Sequence, residues 1–426
     1  MDESTLKSAP NPAAHVPDWD AVTTVCLDMD GTVLDLRFDN MFWLEALPRR
    51  WGEQRGLDER SALAQLKPRF DARRGTLEWY CIDHWSEELG CDIAALKHEM
   101  RGHIRYLPGA RRRSVLKTVP IGVATPSGAV VHLTRIMGAS MLLFRRLPRT
   151  VVTVHDLGAL LCPEEEDRSP SLDRLLLQMS LAGMRRADRI IADSEFTKAG
   201  LVSRLGYDPA QVDAIHLGVD PEVFRPIPDA RRRLVERLGV TVPPDAAIVL
   251  YVGSELTRKG LPTLIAALGT LKRAGIALHW LKVGTPGVPG AREQTRRLLV
   301  EQDLAGDVTF LDAVPDSELA TAYSAADLYV HPSYWEGFGF PVLEAMACGV
   351  PVVSTNAASL PEVAGRAAVL VDPRDADALA RAMSDVLTNE ALRGELIEWG
   401  YRQARMFSWD RTAHLTLDTY ARLGLA

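Results

Sequence analysis

The 426-residue chain is 47% hydrophobic and 25% charged, the balance of soluble globular proteins, and its length suits two or three domains better than one. With 49 basic against 56 acidic residues the formal charge is −7, so no global basic field is available to hold nucleic acid. Five cysteines (Cys26, Cys81, Cys91, Cys162 and Cys348) lie without CxxC spacing, which argues against a disulfide framework or a cysteine zinc site and suits a reducing compartment.

Residues 1–20 carry acids and prolines but no apolar core, and read as a flexible tail instead of a signal peptide. No run reaches the roughly 18 apolar residues that a membrane span needs. The expectation is a cytoplasmic protein, with peripheral contact to a membrane surface left open. Short β-rich runs then alternate with amphipathic helical stretches, which predicts α/β architecture with parallel sheets. Strands are expected at 22–28, 129–133, 150–156, 188–194, 247–253, 277–284, 308–314, 327–333 and 351–356.

The segments differ in character. Residues 21–113 offer one strand and then helical, aromatic-rich sequence, ending in Arg111-Arg112-Arg113. Residues 114–235 have room for roughly three or four βα units at ~30 residues per βαβ, and look like a lobe missing its first strands. Within them 220–233, with three prolines, reads as a linker. Residues 236–412 are long enough for a complete doubly wound nucleotide lobe, and 413–426 for a closing helix.

Chemistry first enters at Asp28-Met29-Asp30-Gly31-Thr32, which follows the first strand. Two carboxylates one residue apart can divide labour, one attacking phosphorus or holding Mg²⁺ and the other protonating a leaving oxygen. CLDMDGTVLD resembles motif I of the haloacid dehalogenase phosphatases, and the helical stretch behind it is similar to the cap of their purine-nucleotide 5′-nucleotidases. The resemblance implies Asp28 as nucleophile and Asp30 as acid/base, with Mg²⁺ at Asp28 and Asp30 only if the segment functions. Ser114 and Lys117 are present, but no strand context aims them at that site. A phosphatase transition state would lack its electrostatic partners there, and the segment reads as a truncated, inactive module.

The most informative stretch is HPSYWEGFGFPVLEAMACGVPVV, 331–353. A strand is expected to end at Ser333 and a helix to begin near Pro341, where a proline in the first turn gives up no hydrogen bond. The glycines let the backbone approach a ligand, and the amides of Phe338 to Val342 with the helix dipole form an anion site. Glu336 and Glu344 are eight positions apart and can flank one bound group. Met346 and Cys348 read as core, and His331 as strand-end packing.

This stretch resembles the E-x7-E motif of retaining glycosyltransferases of the GT-B fold, family 4 group. YVGSELTRKGLPTLIAAL (251–268) is similar to that family's strand–glycine–loop–basic motif, and ASLPEVAGRAAVLVDPRD (358–375) also looks familial. The resemblance covers 114–412. It implies two Rossmann-type lobes, the first incomplete, and a donor site at Gly253, Arg258, Lys259, Phe338, Gly339, Phe340 and Glu344. Glu344 would bind the ribose hydroxyls, while Glu336 and the amides of Phe338, Gly339 and Phe340 hold the sugar. Lys259 with Arg258 would neutralise the leaving diphosphate without a metal cofactor. Many relatives carry arginine directly after the loop glycine, where this chain has Ser254.

TVVTVHDLGALLCPE (150–164) resembles the VHD motif of the same family's acceptor lobe, which gives His155 a role in orienting donor sugar or acceptor. In ADRIIADSEFTKAGL (187–201), Ser194 is expected to cap a helix with Thr197 and Lys198 in its first turn. The expected function is therefore transfer of a hexose from a nucleoside diphosphate sugar to a glycan or lipid-linked acceptor, with Glu336 and His155 at the reacting centre. Two alternatives stand beside it: a Mg²⁺-dependent nucleotide phosphatase using Asp28, and a hybrid that binds nucleotide sugar without turnover. The two resemblances meet at 112–114, where a natural fusion, a deletion joining two genes and an assembly error all give the same pattern.

Overall fold

The computed structural model describes residues 25–26, 42–73, 82–93, 95–96, 130–144, 147, 149–162 and 171–424. Two parallel sheets organise them. The first has strands β1 (Val25–Cys26), β2 (Val130–Leu133), β3 (Thr150–Val154), β4 (Arg189–Ala192) and β5 (Val212–Ala214), paired in that order. Its outer strand comes from the segment ahead of the basic junction, since Val25 and Cys26 pair with Val130 and Val131.

The second sheet holds β6 (Ala247–Val252), β7 (Leu278–Val283), β8 (Val308–Leu311), β9 (Leu328–His331), β10 (Val352–Thr355) and β11 (Ala368–Val371). Their spatial order is β8-β7-β6-β9-β10-β11, so the winding reverses between β6 and β9. In open parallel sheets a ligand crevice opens at such a reversal, beyond the carboxyl ends of the strands. Among the described residues the first sheet runs in sequence order without such a reversal.

Sequence and structure differ at several boundaries. β5 and β11 were not expected. The expected strand at 327–333 stops at His331, because Pro332 cannot donate to the ladder. Part of the expected linker 220–233 is helical: Ala230–Leu238 buries Ala230 and Leu234 and ends at Gly239 in the left-handed conformation. The closing helix is Trp409–Ala421, capped by Ser408, and starts ahead of the expected 413.

Apolar side chains cover both faces of the second sheet. One layer includes Leu250, Leu281 and Tyr329, and the other Val249, Trp280 and Val330. Alternate residues of a strand face opposite sides, so these buried strands read as continuous apolar runs. The closing helix crosses back to the first lobe, where the Tyr420 hydroxyl meets His132 Nδ1 at 2.6 Å. The helices Leu47–Glu53, Glu59–Arg73 and Ile82–Leu89 form a separate core around Trp51, Phe70 and Trp85. Lys67 from that core reaches Asp312 beside β8 at 2.9 Å. No helix among the described residues is long and apolar enough to cross a membrane.

Candidate active site

At the reversal, the loop after β9 places Glu336 beneath three donors. Lys259 Nζ, Ser333 Oγ and His331 Nε2 donate to Glu336 Oε1 at 2.6, 2.7 and 2.9 Å. Arg258 lies 3.7 Å from the other oxygen. Burial alone would raise the Glu336 pKa, but the Lys259 ammonium, the His331 hydrogen bond and the Arg258 guanidinium hold it well below the usual carboxylate range. The side chains of Glu336 and Lys259 are only 9% and 15% exposed. The basic loop is therefore packed against Glu336 and is not a solvated turn.

Backbone geometry sets this approach. Gly260 has φ +69°, and a Cβ there would stand 2.0 Å from the Pro332 carbonyl oxygen, so only glycine lets the Thr257–Lys259 turn press against the end of β9. The Tyr334 amide donates to the Arg258 carbonyl at 2.7 Å. Ser359 Oγ then pins the loop by donating to the carbonyls of Glu336 and Phe338 at 3.0 and 2.8 Å.

The helix Phe340–Ala347 starts at Gly339 as N-cap, with Pro341 in its first turn as expected. Phe338 is buried against Phe340 and Phe407, so its side chain is core. Gly253 follows β6 and donates to Val283 O at 2.9 Å. Ser254, where the resemblance expects arginine, is followed by Glu255, which is turned inward to Lys282 at 3.0 Å and Arg292 at 2.5 Å. That buried cluster holds the loop.

Glu344 lies in a different environment from Glu336. Tyr323 Oη donates to Glu344 Oε2 at 2.8 Å. Burial pushes its carboxyl up to about 7, with Tyr323 opposing and Asp316 reinforcing the shift. The Tyr329 hydroxyl, which meets His331 Nδ1 at 2.7 Å, lies within electrostatic reach of both glutamates. His331 is thus a polar link between Tyr329 and Glu336 rather than packing alone.

The first lobe closes against this loop. A Cβ at Gly337 would stand 2.1 Å from the His155 carbonyl oxygen. Trp335 Nε1 donates to Asp156 Oδ1 at 2.8 Å, and its ring meets Phe196 edge-on at 5.0 Å. Arg258 donates to the Trp335 carbonyl at 3.1 Å and lies 3.8 Å from Asp156. Glu362 crosses the cleft in the other direction. It accepts from the amides of Glu195 and Phe196 at 2.9 and 3.0 Å and meets His216 Nε2 at 2.9 Å. Those amides open the helix Glu195–Ser203, capped as expected by Ser194. Burial raises the Glu362 pKa, but the His216 hydrogen bond and the two amides outweigh it and lower the pKa overall.

His155 follows β3 and stands across the cleft, with its Nδ1 2.7 Å from Asp193 Oδ2. Burial lowers its pKa and Arg135 adds to this, whereas Asp193 and the Thr134 carbonyl raise it and prevail. Asp28 and Asp30 lie outside the described residues. Trp335, Asp156, Asp193, His331 and Glu362 were not singled out for these contacts. Trp335, Asp156, Asp193 and Glu362 meet partners far off in the chain, and only their presence inside the quoted motifs hinted at them; His331, read as packing, meets Tyr329 and Glu336 close by in sequence.

Two family models match the chain: residues 236–403 match "Glycosyl transferases group 1" and residues 105–223 match "Glycosyltransferase Family 4". The O-antigen chain mannosyltransferase B of Escherichia coli is 30% identical over 289 residues, covering 67% of this chain and 74% of that protein. The structure of a sucrose-phosphate synthase from Thermosynechococcus elongatus superposes with a TM-score of 0.58 at 30% identity, covering 69% of this chain and 73% of that one. Bearing on the N-terminal segment, the GMP/IMP nucleotidase YrfG of Escherichia coli strain K12 is 48% identical over 82 residues, 19% of this chain and 37% of that protein. The chain thus spans little more than a third of that nucleotidase.

Proposed function

The chain belongs to the group 1, family 4 glycosyltransferases of the GT-B fold, and from that premise we propose that it transfers a hexose from a nucleoside diphosphate sugar to a glycan or lipid-linked acceptor, with retention and without a metal. The observation that carries this reading is the Lys259–Glu336 pair at the winding reversal, with the His155 backbone of the other lobe packed against Gly337 of the same loop. The mannosyltransferase of an O-antigen chain among its relatives supports a hexose and a glycan acceptor.

In this reading the donor diphosphate lies against the amides that open the helix Phe340–Ala347, where the helix dipole favours anions. Lys259 and Arg258 turn from Glu336 toward the phosphates and stabilise the charge that develops as the nucleotide leaves. Glu336, released from part of its ion pair, accepts hydrogen bonds from sugar hydroxyls, as Glu344 does from the ribose. The acceptor attacks on the side His155 lines, the face from which the nucleotide departs, so configuration is retained.

Calorimetric titration with UDP-glucose and GDP-mannose tests the donor site. Binding that survives Glu344→Ala would remove the ribose role. Product analysis then separates transfer from mere binding, since a hybrid binder gives neither transfer nor donor hydrolysis. The 82-residue likeness to a nucleotidase supports one other reading, a Mg²⁺-dependent phosphatase with Asp28 as nucleophile. Phosphate release from GMP or IMP that disappears in Asp28→Asn would establish it.

A further inference from the structure

We propose that Asp193 is a positioning residue for His155, holding Nδ1–H and the ring's orientation so that Nε2 is the atom His155 presents to the substrate. The proposal rests on the transferase reading above for the substrate, but not for the pair itself.

Strand register makes the pair. Val154 of β3 lies opposite Ala192 of β4, so the next residue on each strand, His155 and Asp193, emerges side by side at the carboxyl edge facing the second lobe. His155 Nδ1 donates to Asp193 Oδ2 at 2.7 Å. The aspartate side chain is 2% exposed while the histidine is 47% exposed, so one member is buried as support and the other is presented. Asp193 Oδ1 is buried and accepts no hydrogen bond among the described residues. Burying a carboxylate is costly unless it is fully paired, and this one has a single ring N–H. Packing alone would favour an apolar residue there, as at Ala192.

The groups around the ring come from every neighbouring element. The Thr134 carbonyl and Arg135 follow β2, His132 lies within it, and Asp156 is next in the chain. His216, beyond β5, acts on Asp193. Burial and Arg135 pull the ring toward the neutral form; Asp193 and the Thr134 carbonyl pull it toward the charged form and win. A carboxylate behind a histidine both selects the Nδ1–H tautomer and raises the basicity of the ring. While the ring is charged, Nε2–H can donate to a sugar hydroxyl or phosphoryl oxygen; once it is neutral, with Nδ1–H held by Asp193, Nε2 accepts instead.

The test is a ring-nitrogen NMR titration of the full chain, with His155→Gln used to assign the signal. Wild-type His155 is expected to carry its proton on Nδ1 throughout and to titrate above the ordinary ~6.5. Asp193→Asn should lower that midpoint by a pH unit or more, a tenfold loss of proton affinity. A wild-type midpoint at or below 6.5, or one that does not move in the variant, overturns the proposal. Should Asp193→Asn fail to fold, the wild-type titration still decides. Where UDP-glucose or GDP-mannose is turned over, the alkaline limb of kcat should also move to lower pH in Asp193→Asn, with kcat down tenfold or more and donor KM within threefold. An unshifted limb overturns the role in catalysis. Absence of turnover in the wild type would count against the transferase reading and leave the titration to judge Asp193.

Discussion

Replacing Lys259 by methionine removes the nearest cation from a carboxylate that is almost out of solvent. Nζ lies 2.6 Å from Glu336 Oε1, and after the change Glu336 keeps His331 at 2.9 Å, Ser333 at 2.7 Å and Arg258 at 3.7 Å. Breaking a buried ion pair from one side costs about 3–5 kcal/mol. The surviving donors lower the expectation to about 2–3 kcal/mol at pH 7. The pH dependence has a definite sign. Glu336 has a depressed folded pKa, so its stabilisation is complete above the unfolded carboxylate value of ~4.3 and is lost as pH falls toward the folded value. Lys259 is the strongest charge producing that depression, so the variant has less stabilisation to lose. The gap between wild type and variant should therefore shrink as pH falls from 7 to 3.3, by at most about 1.4 kcal/mol, since His331 and Arg258 still depress the variant's Glu336. Urea unfolding at pH 7 and pH 3.3 measures both values. A variant as stable as wild type at pH 7, or a gap that is the same at both pH values, refutes the electrostatic account. The same variant should bind UDP about tenfold or more weakly by calorimetry, the loss of one charge-assisted hydrogen bond.

Three further outcomes are expected. Because burial lifts the Glu344 carboxyl to about 7, UDP-glucose affinity should weaken as pH falls from 8 to 6, and Tyr323→Phe should move that midpoint upward; calorimetry showing no pH dependence would exclude Glu344 as the ribose acceptor. Gly337→Ala sets a methyl against the His155 carbonyl, forcing the lobes apart, and should cut transfer at least tenfold at a stability cost of about 1–3 kcal/mol, read by turnover and thermal melting. Glu362→Ala uncaps the amides of Glu195 and Phe196 and should cost about 0.5–2 kcal/mol, seen as faster hydrogen exchange at the start of that helix.

Much of the second lobe was readable because buried parallel strands are written as unbroken apolar runs and because Gly339-Phe340-Pro341 marks a helix start. Lys259 and Glu336 were both legible from their motifs, though not that they would meet. β5 escaped because it is three residues long and only partly buried, with Asp213 committed to Arg189 at 2.6 Å. β11 escaped because its apolar run follows directly on a short helix and glycine. The His155–Asp193 pair depends on strand register, and the Glu362 and Trp335 contacts on how two lobes meet. Those partners lie 38, 167 and 179 positions apart, and no local periodicity encodes such separations.

The pairing of Val25 and Cys26 with β2 has a practical side. Without that neighbour, Val130–Leu133 would become the rim of the sheet, its outward N–H and C=O groups unanswered and three of its four side chains apolar. Such a rim invites a strand from another molecule. Trimming the polypeptide to begin near residue 130 would therefore favour edge-to-edge self-association, and expression trials are better served by keeping the preceding residues attached.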